Sequence, residues 1–417
     1  MSLRDQVKGR SFHARGYDPP STATLSDIVR SVQASRPPAV WLHDGGGIVA
    51  WGEFARIDPG TGPRRFQRAG EMLAELFSGL EVDDELGFPG TSALALGCFT
   101  FDERAGGSFL VIPHTVIGRR AERWWISTPA GEPAPLLRPS PTDLVGAEVR
   151  YAGSSVSEVK WLDSVAAAVA GIKSHELDKV VLARDLLVRS KTEFDIGLIL
   201  ERLAARFPEC FTFHLDGFVG ATPELLIRRM GGSLESRVLA GSAPRDEDAV
   251  VDRAAGLELK RSPKERAEHM FALGSVTDAL RAHCSVLEVD EEPWLLRLAN
   301  VQHLATSVTG ELSGEPTALE LAGELHPTAA VCGVPKEAAL ERIRSSEGLD
   351  RKLYSGPVGW VDARGDGEWG IALRCAELKG NSGRLFAGAG IMAESLPEKE
   401  LEETRLKLKA MQSVLGR

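Results

Sequence analysis

Glu265 and Glu268 stand three residues apart, as do Glu400 and Glu403, and Lys407 follows Glu403 by four. On a helix this spacing places each pair on one face. Two helices carrying paired carboxylates could supply a site of hard oxygen ligands suited to Mg²⁺. That ion keeps several waters and often completes its shell with substrate oxygens. The competing reading of the C-terminal set is a solvated charged face with Glu403 and Lys407 as an i,i+4 ion pair, and taken alone that set favours it. Capping accounts for some of the acids. Ser262, Pro263 and Glu265 read as N-cap, first helical residue and capping-box acid, and Ser395, Pro397 and Glu398 repeat the pattern. Glu268, Glu400 and Glu403 are left without a local role. Zinc chemistry is not indicated: there is no CxxC or HExxH, and Cys98, Cys210, Cys284, Cys332 and Cys375 are far apart.

The other candidates are single polar residues in apolar settings. Lys179 shares a strand face with Val181 and Ala183, where it is either a strand-end snorkeller or a buried amine. Glu224 ends the turn Gly220-Ala-Thr-Pro-Glu224, which turn chemistry alone would also explain. His326 precedes Pro327 in a connection between elements. Arg374 lies on IALRCAEL, which reads as one apolar strand, and an arginine there needs an anionic partner. Gly388 and Gly390, in AGAG, read as a tight turn whose backbone N–H groups could approach an anion.

Strands and helices in mixed order must hold these residues. Residues 36–127 are strand-rich and punctuated by glycine, with one helical pattern around Phe66–Leu80. Thr128–Val145 is proline-rich and aperiodic, a loop or a boundary. Beyond it the patterning predicts helices over Val159–Lys173, Asp195–Phe207, Ser262–His283, Thr317–Leu325 and Pro335–Ser345. Strands are predicted over Lys179–Val188, Cys210–Asp216, Leu225–Arg229, Ser233–Val238, Gln302–Leu312, Pro357–Asp362, Trp369–Leu378 and Arg384–Ile391. In the last helix Leu401, Thr404, Leu408, Met411 and Leu415 form the buried face. Glu400, Glu403 and Lys407 make a second stripe about 100° round from it. Few crossovers have βαβ length, so an antiparallel α+β design is expected rather than a Rossmann sheet.

At 417 residues and 43% hydrophobic, the chain can bury one large core or two ordinary ones. Its formal charge of −10 argues against a general binder of nucleic acid or anionic membrane, so an anionic substrate must be met by local cations. The odd, scattered cysteines suggest a reduced, intracellular setting. The opening residues lack the apolar core of a signal peptide, and no apolar run approaches the roughly 20 residues that span a bilayer. The expectation is a soluble cytoplasmic protein. It is a monomer by default, since no heptad or long apolar seam demands a partner.

Taken in order, KVVLAR, GATPELL, LAGSAPR, SPKERAEH, LHPTAAVCGVP, YSGPVGW, IALRCA, AGAGI and PEKELEETRLK resemble the chorismate-utilising enzymes, and among them most resemble isochorismate synthases. The resemblance covers roughly Val159 to the C-terminus. It implies an α+β fold with helices around a large, mostly antiparallel sheet core. Residues 1–150 would be a strand-rich segment of the same compact unit, and residues 151–417 the chorismate-binding catalytic region. It further implies that Lys179 is the general base for water attacking ring carbon C2, and that Glu224 is the general acid for the departing C4 hydroxyl. Glu268 and Glu403 would be direct Mg²⁺ ligands, with Glu265 and Glu400 supporting them directly or through water. Arg374, Tyr354 and Lys407 would hold carboxylate groups beside the Gly388–Gly390 backbone. His326 would line the pocket, and Gly241 and Ser242 would form part of its wall.

Lysine at position 179 favours water over ammonia as nucleophile, so the resemblance implies no glutaminase subunit. Salicylate synthases keep the same lysine and go on to eliminate pyruvate. HPTAAVCGVP is closer to the isochorismate synthase pattern, although Ala329 replaces its usual proline. Three readings follow: an isochorismate synthase serving menaquinone or siderophore synthesis, a salicylate synthase, or a catalytically silent metabolite- or metal-binding relative. Retention of both Lys179 and Glu224 argues against the last.

Overall fold

The computed structural model describes Val7 and residues 9–19, 23–32, 37–132, 146 and 148–416. Most of the proline-rich stretch Thr128–Val145 lies outside the described residues. Two large sheets form the α+β core. The larger begins at Val149–Tyr151 and runs through Lys179–Ser190, Ser382–Ile391, Cys375–Lys379, Phe218–Thr222 and Phe211–Leu215. It continues directly into N-terminal strands, because Thr212, Phe213 and His214 pair with Leu42, Trp41 and Val40. Its neighbours are antiparallel except at the far edge, where Ser11–Gly16 lies parallel to Glu81–Asp84. The smaller sheet is also shared. Leu94–Cys98 pairs with Pro357–Asp362, and Ser233–Pro244 lies between Leu225–Met230 and Val301–Leu312.

Alternation of apolar residues on these strands lets the sheets bury their facing sides against each other. Trp41 and Phe213 of the larger sheet share a core with Leu96 and Trp360 of the smaller. The Trp41 indole N–H, which burial would otherwise leave unpaired, donates to Glu368 at 2.7 Å. Among the described residues, no helix is long and apolar enough to cross a membrane.

Helices that cover the core start where capping chemistry directs. Ser157 accepts from Lys160 N ahead of Glu158–Lys173, and Thr317 and Glu320 form a capping box at Ala318–Leu325. Ser262 caps Pro263–Leu280 as expected. The C-terminal helix Pro397–Leu415 buries Leu401, Thr404, Leu408, Met411 and Leu415, also as expected, but its start differs. Its N-cap is Leu396, and no side chain caps it. Ser395 lies one residue too early and instead accepts from Met392 N at 3.0 Å.

Three further differences matter. Ala249–Arg261 is a helix the patterning did not announce, because it carries no apolar stripe: Val250, Val251 and Leu257 are exposed. Ala387–Gly390 is not a turn. It lies within the strand Ser382–Ile391, paired with Val181–Arg184. The segment Trp369–Leu378 is not one strand either. It breaks at Arg374, with Gly367–Ile371 in the smaller sheet and Cys375–Lys379 in the larger. Arg374 takes a left-handed φ of 48°, a conformation with no side-chain signature outside glycine and asparagine.

Candidate active site

The cleft forms where the chain passes from one sheet to the other. Phe218–Thr222 belongs to the larger sheet and Leu225–Met230 to the smaller, so Pro223 and Glu224 make the crossing. Arg374 makes the return crossing beside it. Backbone bonds tie the two together: Ala221 N donates to Arg374 O and Ile371 N to Glu224 O, each at 3.2 Å. A carboxyl and a guanidinium widely separated in sequence are therefore brought onto adjacent crossings.

Two helices close the opening. Pro263–Leu280 packs on Ser233–Pro244 of the smaller sheet, and Pro397–Leu415 packs on Ser382–Ile391 of the larger. Their acidic stripes face each other, and Lys264 on the first helix bonds Glu400 on the second at 2.8 Å. The cavity between them is small, about 60 Å³. Glu224, Gly241, Ser242, Glu268, Tyr354, Arg374, Gly388, Gly390, Glu403 and Lys407 all line it. A larger cavity of about 390 Å³, bounded by His43, Arg120, Trp125 and Trp360, contains none of the expected site residues.

Lys179 opens its strand fully buried, with its ammonium 3.3 Å from Glu268 Oε1. Of the two readings open to it, it is the buried amine. Glu224 is only 4% exposed, and burial pushes its carboxyl up to about 8. Lys179 is the strongest of the nearby cations opposing that shift, followed by Arg374 and Lys407. Desolvation wins. Glu224 thus carries its proton at neutral pH. Tyr354 stacks on Phe386 with centroids 5.2 Å apart, and burial pushes its phenol up to about 12, so it remains a donor. Lys407 reaches Glu403 at 2.5 Å and the Gly388 carbonyl at 2.9 Å.

The glycines make room. A Cβ on Gly390 would overlap Glu268 Oε1, so only glycine lets that carboxylate lie against the strand. Gly241, at φ 75°, interrupts the register between Ser233–Pro244 and Val301–Leu312, and exposes the Ser242 N–H to Glu265 Oε2 at 3.2 Å. Glu265 thus reaches toward the cavity wall as well as standing at the start of its helix.

His326 is a correction. It does not line the cavity. Its Nε2 lies 3.0 Å from the Phe101 carbonyl, and its ring packs between Phe66 and Phe101, where burial lowers its pKa to about 3. The histidine that does line the cavity is His303, which sequence reading did not single out. Burial first, then Arg374 and Lys407, hold it well below its ordinary pKa, so the imidazole is neutral. Its Nδ1 lies 3.0 Å from the Gly241 carbonyl, an acceptor only, so Nδ1 carries the hydrogen. Nε2 then accepts from Arg374 Nη2 at 2.9 Å. The available signal was weak: Gln302 and His303 stand at the head of a strand that also carries Thr306, Ser307 and Thr309. Lys264 was likewise passed over, although it stands within the acidic motif.

The cluster suits a divalent ion in its chemistry. Burial and then Glu268 push Glu265 up to about 7, and burial and then Glu403 push Glu400 up. Burial also opposes charge on Glu403, but Lys407 and Lys264 hold it below its ordinary value. Like charges crowd here beyond what the lysines neutralise, which a hard cation would relieve. Among the described residues, no three acidic or imidazole groups converge as a finished coordination shell. Glu268, Glu400 and Glu403 are each held by a lysine instead. The set therefore fits an ion that retains waters and leaves ligand positions to a substrate.

The sequence pattern of a family described as chorismate binding enzyme matches residues 138–416. Isochorismate synthase EntC of Escherichia coli (strain K12) is 44% identical over 257 residues, covering 60% of this chain and 66% of that protein. That alignment spans just under two thirds of the relative's length. A solved structure described as a 2,3-dihydroxybenzoate-specific isochorismate synthase, DhbC from Bacillus anthracis, matches with a TM-score of 0.78 and 32% identity, over 94% of this chain and 99% of that one. The menaquinone-specific isochorismate synthase MenF from Escherichia coli has a TM-score of 0.80 at 23% identity, over 98% and 95% of the two chains, a likeness of fold.

Proposed function

The chain belongs to the chorismate binding enzyme family, and from that premise we propose that it converts chorismate to isochorismate. The observation that carries the reading is a carboxyl, Glu224, that burial keeps protonated up to about pH 8 in one cleft with Glu268, Arg374 and Lys407, while the buried Lys179 ammonium lies behind it against Glu268. Hydroxide is a poor leaving group, so the Glu224 proton goes to the C4 oxygen as its bond to carbon breaks. Water is a poor nucleophile, so a base must take its proton as oxygen attacks C2, and that is the role proposed for Lys179. The ring gains one hydroxyl and loses another, and the proton balance closes within the site.

Arg374, Tyr354 and Lys407 are the groups that would hold the substrate carboxylates. Arg374 is held from behind, because His303 accepts one of its N–H bonds and so limits its rotation. Glu268 and Glu403 would hold Mg²⁺ directly, with Glu265 and Glu400 supporting directly or through water. When bound, the ion would neutralise a substrate carboxylate and withdraw electron density from the ring. With water as the nucleophile, no glutaminase subunit is required. The N-terminal residues are read as part of the same unit, because their strands pair into both sheets.

The test is to incubate the purified protein with chorismate and magnesium chloride and resolve the products by chromatography. Isochorismate alone supports the proposal. Salicylate with pyruvate would make the protein a salicylate synthase, and absence of turnover would leave a silent binding module.

A further inference from the structure

Among the described residues, Lys264 bridges the two acidic helices, standing on one and bonding the other. Its ammonium lies 2.8 Å from Glu400 Oε1 and 3.7 Å from Glu265 Oε1. Glu400 is only 2% exposed, and its other charged neighbour of note is Glu403, a like charge. A carboxylate so buried needs a cation, and the acids draw Lys264 further above its ordinary pKa although burial opposes its charge. Lys264 itself is a quarter exposed, on a flexible stem, so it can swing away without unpacking the core.

We propose that Lys264 is a resident cation that clamps the two acidic helices in the metal-free protein and competes with the divalent ion for the Glu400 side of the site. This rests on the reading of the glutamates as a magnesium site. In that protein the lysine holds Glu400 away from the inner coordination shell and keeps the helices at the separation the ion requires. Binding of the ion weakens the Lys264–Glu400 pair, and Lys264 is the leaving cation.

The experiment compares the parent protein with Lys264→Met, Glu400→Gln, the double variant and Glu403→Gln. Magnesium chloride is titrated into substrate-free protein, followed by calorimetry and by the thermal midpoint. Lys264→Met should bind Mg²⁺ about tenfold more tightly, the scale of one partly screened charge contact. It should lose thermal stability without magnesium and regain it at saturation. Glu400→Gln should remove both effects of the lysine substitution. Unchanged or weaker magnesium affinity in Lys264→Met, or a loss of midpoint that magnesium does not repair, overturns the clamp. If Glu403→Gln binds magnesium as the parent does, the metal site itself is misassigned, whatever Lys264→Met shows.

Discussion

Replacing Glu224 by Gln should stabilise the protein while destroying its activity, and the stabilisation should grow with pH. The folded carboxyl titrates at about 8 against an ordinary value of 4.5. Below pH 4.5 the group is neutral in both folded and unfolded chains, and its proton linkage contributes nothing to the difference. As pH rises through the window from 4.5 to about 8, the unfolded chain releases a proton that the folded chain keeps. Each unit then costs the folded state about 1.4 kcal/mol. At pH 7 the penalty is about 3 kcal/mol, and it levels off above the folded pKa. Glutamine has nearly the same shape and does not titrate, so the variant should gain roughly that amount at pH 7 and almost nothing at pH 4.5. Denaturant melts of magnesium-free parent and variant at pH 5, 6, 7 and 8.5 measure the difference directly. A gap that stays flat across this range would refute the argument that burial holds the proton. So would a variant that turns over chorismate at near-parental rate.

The same proton sets the alkaline limb of the reaction: kcat/KM for chorismate should fall as pH rises through about 8 and be restored on returning to pH 7. Lys179→Ala should lower turnover by about 10²–10⁴-fold with the folded state retained, read from steady-state rates and circular dichroism. A near-normal rate would remove lysine from the mechanism. Gly390→Ala should push the Glu268 carboxylate off the strand and weaken magnesium binding by about tenfold or more in calorimetry, because its Cβ would occupy the space of Oε1. Chelation with excess EDTA should abolish chorismate turnover and added magnesium should restore it; activity that survives thorough chelation would show the glutamate set to be something other than a metal site.

The readable part of the site consisted of residues whose chemistry conflicts with their local setting. Glu268, Glu400 and Glu403 had no capping role, and Arg374 and Lys179 stood among apolar neighbours. Such conflicts mark function because a chain bears the free energy of burying charge only where something compensates it. Misreadings came where one pattern serves two geometries. Small alternating residues suit a tight turn, and they equally suit a strand that a carboxylate must approach, which is what Gly390 turned out to provide. IALRCAEL keeps strand alternation on both sides of a left-handed residue, so nothing local announces the break at Arg374. Nothing in the local pattern around His326 or His303 tells which of them reaches the cavity. Only their neighbours separate them: two phenylalanine rings for one, Arg374 and Ser242 for the other.

By itself the sequence determined the α+β class and the helices bearing Glu268 and Glu403, because periodicity and capping act over a few residues. The acid and base roles of Glu224 and Lys179 are what the family resemblance implies, not what local patterning shows. Tertiary structure alone decided that Glu224 and Arg374 sit on adjacent crossings between two sheets. It also decided that the two acidic helices face one another through Lys264 and that His303 holds Arg374. The shift that keeps Glu224 protonated belongs to the same level. It arises from desolvation by surrounding residues that are distant in the chain, and no local pattern encodes that distance.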